Sequence, residues 1–245
     1  MTIYEFMRWA TFPLMPVHLN VVRNDLKHLL KVTSKVDNCL NILDVGGRKS
    51  PYTINLKADV TLLDVPQESE TQEQLHLGFT SDISSFVENK RSNINEIIIQ
   101  DMTQSKLPEA SYDAVVSIEV IEHVEADELF VQNISKVIKK GGWAYFTTPN
   151  GDYIKNEGPD KNPDHVRHYT KQQLQTLLEK YFSNVDVHYA VRTGKYRVWG
   201  LQSFKKGNPL TLFKSITGNI VNRLQSIGVQ ETPSGTAHLI AVAYK

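Results

Sequence analysis

The sequence predicts an α/β fold: a doubly wound, mostly parallel seven-stranded sheet, with an N-terminal helical extension and an insertion before the last strand. Three observations carry that prediction. From Asn41 onward, short runs rich in Val, Ile and Leu alternate with helical stretches, the pattern of strands buried on both faces and joined by crossovers. The first run ends in a glycine turn at Gly46-Gly47. The second and third runs each end in an acid, Asp64 and Asp101.

The elements follow in order. Residues 1–38 read as the helical extension. Strands are expected at Asn41–Val45, Val60–Asp64, Ile94–Gln100, Tyr112–Glu119, Trp143–Thr148, Val185–Val191 and His238–Tyr244. Ser50-Pro51 is an N-cap followed by a first-turn proline, so a helix is expected right after the glycine turn. Further helices are expected at Ala126–Lys140, stopped by Gly141-Gly142, at Thr170–Tyr181, capped by Thr170, and at Pro209–Ile227. One domain of residues 1–245 results, with a ligand-binding core at 39–191, a lid or insertion at 192–236 and a last strand at 237–245.

Composition narrows the class. At 245 residues with 40% apolar and 22% charged side chains, the chain is globular, not disordered and not a coiled-coil rod. Its one cysteine, Cys39, excludes an internal disulfide and a cysteine-built zinc site, which favours a reducing, cytoplasmic compartment. Glu5, Arg8, Pro13 and Pro16 break up the first residues, so no leader pattern forms, and any membrane contact is peripheral. Lys plus Arg and Asp plus Glu both number 27, which argues against a protein that coats DNA or RNA. The balance hides an asymmetry: residues 187–245 hold 8 basic and 1 acidic side chain, and 187–230 hold no acid at all. That basic insertion reads either as a solvated face or as a surface for an anionic partner, such as a phosphorylated substrate or an acidic lipid headgroup.

The strand ends describe a ligand. Gly46 and Gly47 let the backbone approach it closely, and Arg48 and Lys49 add attraction for a carboxylate. Asp44 would repel a pyrophosphate but suits an ammonium group. Asp64, eighteen residues past Gly46, stands where an acid accepts ribose hydroxyls. Asp101 beside Met102 suits an adenine, carboxylate to amine and sulfur to ring. A nucleoside bearing an amino-acid tail meets all of these demands, and that is S-adenosylmethionine. A dehydrogenase would need a G-x-G-x-x-G turn, which is missing.

The segments ILDVGG (42–47), TLLD (61–64), QDM (100–102), LPEASYDAVVSIEVIEHV (107–124) and KKGGWAYFTTPN (139–150) resemble the class I S-adenosylmethionine-dependent methyltransferases. The resemblance runs from about residue 40 to 190 and implies a Rossmann-like sheet, methyl transfer and this cofactor. It departs from the usual D-x-G-x-G-x-G, with Arg48 and Ser50 at the later glycine positions. The ending S-P-Y is similar to methyltransferases of bacterial surface-glycan clusters, and the alternative of another class is a methyltransferase-fold binding protein without turnover.

Chemistry concentrates after the fourth strand, in Ser117-Ile-Glu119-Val-Ile-Glu122-His123, where loops leaving strand ends line the ligand crevice. Ser117 is expected on the cofactor side. Asn162–Thr170 adds His165 and His168. Two readings stand. Glu119, Glu122, His123 and His165 or His168 could hold Mg²⁺ or Mn²⁺, an oxygen and nitrogen set suited to such ions; the spacing is similar to metal-dependent RNA 2′-O-methyltransferases and to the O-methyltransferases of ubiquinone synthesis. Otherwise His123 or His165 is a general base without metal, with Glu119 beside it. The expected acceptor is a sugar, glycan or lipid-linked saccharide; RNA or a phenol is the runner-up. Tyr4, Phe6, Trp9, Phe12, Tyr196, Trp199, Phe204 and Phe213 are expected to face it or to form the lid's own small core.

Overall fold

The computed structural model describes residues 1–33, 39–47, 50–67, 87, 89–202 and 208–245. Seven strands form one sheet: β1 (Leu40–Val45), β2 (Ala58–Asp64), β3 (Ile94–Ile99), β4 (Tyr112–Ile118), β5 (Ile138–Pro149), β6 (Asn184–Arg192) and β7 (Thr236–Tyr244). Their order is β3-β2-β1-β4-β5-β7-β6. All neighbours are parallel except β7, which runs antiparallel between β5 and β6. Strand ends from the sequence hold to within a few residues, except that β5 starts five residues early.

The helices are α1 (Ile3–Thr11), α2 (Val17–Thr33), α3 (Asp127–Val137), α4 (Lys171–Glu179), α5 (Lys195–Leu201) and α6 (Pro209–Gln225). α4 begins with the expected Thr170 cap, in a reciprocal box with Gln173. α3 ends three residues before Lys140, and Gly141-Gly142 lie within β5. Ile138 explains the early stop: it is fully buried and pairs with Tyr112 in the sheet, so tertiary pairing overrides the glycine signal.

Residues along the central strands alternate between two cores. Leu43, Val115 and Phe146 face α3 and α4, meeting Phe130, Ile134, Leu174 and Leu178. Ile42, Val116, Trp143 and Tyr145 face α2, meeting Val22, Leu26 and Leu30. Full burial of each such side chain contributes roughly 1.5–3 kcal/mol. At the other end of the chain, α5 and α6 pack closely because Gly218 sits against the Gly200 nitrogen and the Trp199 Cβ, where a Cβ would come within 2.7 Å.

The helix expected after Ser50-Pro51 does not form; residues 50–57 are bends and turns leading straight into β2. Two buried arginines hold this loop. Arg23 of α2 donates to the carbonyls of Pro51, Tyr52 and Ile54. Arg91 donates to the Thr53 hydroxyl at 2.9 Å, and that hydroxyl donates to Asp44. Burial, with Arg91 and Arg8 close by, lowers Arg23 to about 10, so it stays cationic at neutral pH. α1 is tied to the same region by Glu5, whose buried carboxylate accepts from the Ser92 N–H at 2.7 Å. Replacing Arg23 with Met strands three loop carbonyls. Urea unfolding of that variant should show a loss of about 1–3 kcal/mol, and an unchanged midpoint would mean the loop holds itself.

Candidate active site

A cavity of about 640 Å³ opens at the C-terminal ends of the parallel strands, lined by residues that include Asp44, Gly46, Asp64, Asp101, Met102 and Phe130. This is where an open α/β sheet offers a ligand crevice. Gly46 takes φ +76°, and a Cβ there would lie 2.5 Å from Val120, so only glycine fits the turn. Burial raises the Asp44 carboxyl above its usual range, with Thr53, Ser50 and Arg91 offsetting part of the rise. Asp64 accepts from the Val65 N–H at 2.9 Å and Asp101 from the Thr103 N–H at 2.8 Å, so both carboxylates are oriented by backbone. Buried Met102 follows Asp101 in the wall. Acids at three strand ends around one apolar slot fit an amino-acid tail, a ribose and an adenine in sequence.

Other expected residues lie differently. Gly47 and Ser117 do not line this cavity; Gly47 packs against Leu62 and Asp44, and Ser117 is buried in β4 between Val45 and Phe146. Arg48, Lys49, Phe204, Lys205 and Lys206 fall outside the described residues. Phe6, Trp9 and Phe213 are exposed, and Tyr196 packs edge-on against Trp199, ring centres 5.5 Å apart.

The four groups expected to share a metal divide into two clusters. Glu122, His123 and His165 bring ligand atoms within 4.8 Å of one another. His123 lines the first cavity, whereas Glu122 and His165 do not. Glu122 is fully buried, and burial, then the charge of Glu119, holds its carboxyl well above the usual range. His123 Nδ1 donates to the Asp164 carbonyl at 2.8 Å. His168 Nδ1 donates to the Ile154 carbonyl, so its Nε2 accepts from His165 Nδ1 at 2.7 Å. Burial, then His123 and His168, lowers His165 to about 4.

Glu119 turns the other way. Its Oε1 accepts from Thr147 Oγ1 at 2.7 Å and from His238 Nδ1 at 3.2 Å, with His18 Nε2 at 3.9 Å. His18 sits on α2 and His238 on β7, and their rings stack at 4.0 Å. Both line a second cavity of about 320 Å³, together with Arg8, Arg197, Asn219 and Asn222. Pro51 and Tyr52 border both cavities. None of the described aromatics expected to face the acceptor lines this second cavity. The sequence reading passed over His18 and His238; a histidine opening the otherwise apolar run Leu239–Ala243 was the available signal.

Asp64→Ala should weaken S-adenosylmethionine binding by roughly 1–3 kcal/mol, since ribose hydroxyls lose a charged acceptor. Calorimetric titration measures it, and equal affinity would place the ribose elsewhere.

Comparison with known proteins agrees with this geometry. The methyltransferase domain family matches residues 21–185. A segment covering 47% of this chain is 29% identical to the mitochondrial ubiquinone biosynthesis O-methyltransferase of Dictyostelium discoideum, of whose length it spans 37%. Phosphoethanolamine N-methyltransferase 2 of Haemonchus contortus, solved with S-adenosyl-L-methionine, superposes over 91% of this chain and 52% of its own with a TM-score of 0.57 at 14% identity. A SAM-dependent methyltransferase from Archaeoglobus fulgidus superposes over 91% of this chain and 94% of its own, with a TM-score of 0.54 at 16% identity. These two likenesses concern the fold. With the family matched over more than half its length, and its acids and glycine turn gathered around one slot, the chain belongs to the class I S-adenosylmethionine-dependent methyltransferases.

Proposed function

We propose that the protein transfers a methyl group from S-adenosylmethionine to a hydroxyl of a sugar, glycan or lipid-linked saccharide. The observation that carries this reading is the second cavity, which adjoins the first across Pro51 and Tyr52 and carries His18, Asn219, Asn222 and His238 on an otherwise largely apolar wall. S-adenosylmethionine supplies a methyl carbon activated by its sulfonium. The chain's part is to hold the acceptor oxygen in line and close, which can supply most of the rate. The name of the Dictyostelium relative, an O-methyltransferase, supports oxygen as the atom modified.

α6 supports a lipid-linked acceptor. It buries Ser215, Gly218, Asn219 and Asn222 and exposes Leu210, Phe213, Ile220 and Leu224, with Phe213 69% exposed. Large apolar residues thus face outward at helical spacing, the reverse of an ordinary surface helix. Lys195, Lys214 and Arg223 lie on α5 and α6 in the acid-free stretch, so an anionic membrane surface complements both the apolar stripe and the charge. No helix among the described residues is long and apolar enough to cross a membrane. Phosphatidylglycerol vesicles should sediment the protein, less so as salt rises past about 0.15 M, where screening shortens to about 8 Å. Phe213→Asp with Leu224→Asp should abolish sedimentation. Equal recovery of both proteins in the supernatant would make the acceptor a soluble saccharide.

A second reading, a divalent cation such as Mg²⁺ or Mn²⁺ that assists the transfer, is favoured by the Glu122–His123–His165 cluster, whose ligand atoms lie within 4.8 Å of one another and whose histidines are each held through Nδ1. Such an ion would supply Lewis-acid polarisation of an oxygen. On this reading Mn²⁺ binds the wild type by calorimetry and not Glu122→Gln, and EDTA abolishes transfer. Full activity in EDTA rejects the cation.

A further inference from the structure

Glu119 connects the two cavities: it lines the first, and the imidazole it holds lines the second. Its backbone stands at φ +54°, a left-handed conformation uncommon for a residue with a side chain. It is kept there by the Thr147 carbonyl, which accepts from the Glu119 N–H at 3.0 Å. Val191, lining the second cavity, is strained in the same way at φ +62°. Strain of this kind costs on the order of 1–3 kcal/mol per residue and gathers at working sites.

The hydrogen bonds fix where the His238 proton sits. Burial alone would raise the Glu119 carboxyl, but the His238, His18 and Thr147 side chains around it outweigh this and hold Glu119 below the usual range. An ionised carboxylate only accepts, so His238 Nδ1 carries the hydrogen toward it. His238 Nε2 then presents its lone pair, and Arg197 Nη2 donates to it at 3.1 Å. This argues against a cation shared by His18, Glu119 and His238, although their ligand atoms lie within 4.8 Å. A metal on Nδ1 would put the ring hydrogen on Nε2, facing an arginine that has only hydrogens to offer. His18 stacks on His238 with rings 5° from parallel, and Tyr52 Oη lies 3.3 Å from His18 Nδ1. Burial, then His238, pushes His18 down to about 3, so it braces the ring without competing for a proton. Glu119, His18 and Arg197 face His238 directly, and Tyr52 reaches it through His18.

We propose that His238 is the catalytic base of the transfer, and that the second cavity takes a hydroxyl acceptor bearing a carboxylate or a phosphate. This rests on S-adenosylmethionine occupying the first cavity. Arg8 and Arg197 both line the second cavity and no acid does, so an anion is matched there by guanidinium groups. The anionic group of the acceptor draws Arg197 off His238 Nε2, and the acceptor oxygen takes its place and gives its proton to that nitrogen as it bonds to the methyl carbon. The carbon–sulfur bond breaks, and its electron pair stays on sulfur. A methyl ether and S-adenosylhomocysteine result. Glu119 stabilises the imidazolium, which then passes the proton to water. Glu119 acts through His238 and is a positioning residue.

The test uses the full chain loaded with S-adenosylhomocysteine and carrying ¹⁵N-labelled histidine. Nitrogen NMR should show His238 protonated at Nδ1, and Glu119→Gln should lose that preference. Glucuronate and glucose 6-phosphate should each bind and move the His238 signal, whereas glucose should not, and the tighter of the two anions names the acceptor group. Arg197→Met should weaken the anions at least about tenfold, with Arg197→Lys intermediate and S-adenosylhomocysteine affinity equal in all, which reports an intact fold. Where an anion is methylated, His238→Gln should cut kcat by roughly 10²–10⁴ with KM little changed. Hydrogen on His238 Nε2, anions that fail to bind the loaded protein, or anion affinity untouched by Arg197→Met would each overturn the proposal. Failure of S-adenosylhomocysteine itself to bind would instead strike the methyl-transfer reading on which it rests.

Discussion

Two buried guanidinium groups carry the loop on which both cavities depend. In the span between β1 and β2, residues 50–57 have turns in place of a helix, so their carbonyls need donors from elsewhere. Arg23 meets three of them, and Arg91 reaches Thr53, which in turn bonds Asp44. One side of that loop, Ser50 to Tyr52, walls the cofactor cavity; Pro51 and Tyr52 also wall the second. A buried charge without partners is costly, and here the cost is met by hydrogen bonds that also set the shape of the site. The arginines come from α2 and from the segment before β3, so the loop's form is decided far from it in sequence.

The same dependence on distant groups separates Glu119 from Glu122. Spaced three residues apart, they look like partners on one helical turn. The left-handed φ of Glu119 breaks that geometry before the short 3-10 turn Ile121–His123 begins. One carboxyl then lies below its usual range against a histidine pair, while burial and the charge of Glu119 hold the other well above its own. Two like groups a few residues apart are thus shifted in opposite directions by their surroundings.

Much of the fold was legible because it rests on local signals. Runs rich in Val, Ile and Leu marked all seven strands, Thr170 and Pro209 marked helix starts, and the acids after β2 and β3 do line one cavity. The errors came where long-range packing outweighs such signals. Gly141-Gly142 looked like a helix stop, yet Ile138 had already entered the sheet. Ser50-Pro51 looked like a helix start, yet Arg23 and Arg91 stabilise a loop there. His238 reads as an ordinary strand residue until β7 is known to lie against β5, with Pro149 as its partner. His18, on a helix more than two hundred residues earlier, meets it only in three dimensions.

That separation sets an order of assembly during synthesis. The described residues lining the cofactor cavity all fall between Asp44 and Phe130. The second cavity draws on Arg8 and His18 from before that span and on Arg197, Asn219 and His238 from well after it. At ordinary elongation speeds of about 5–20 residues per second, His238 leaves the ribosome on the order of ten seconds after the donor slot has its last residue. β7 must then enter the sheet between β5 and β6, strands already made. The residues that line the first cavity are therefore all synthesised well before β7 brings His238 to the second.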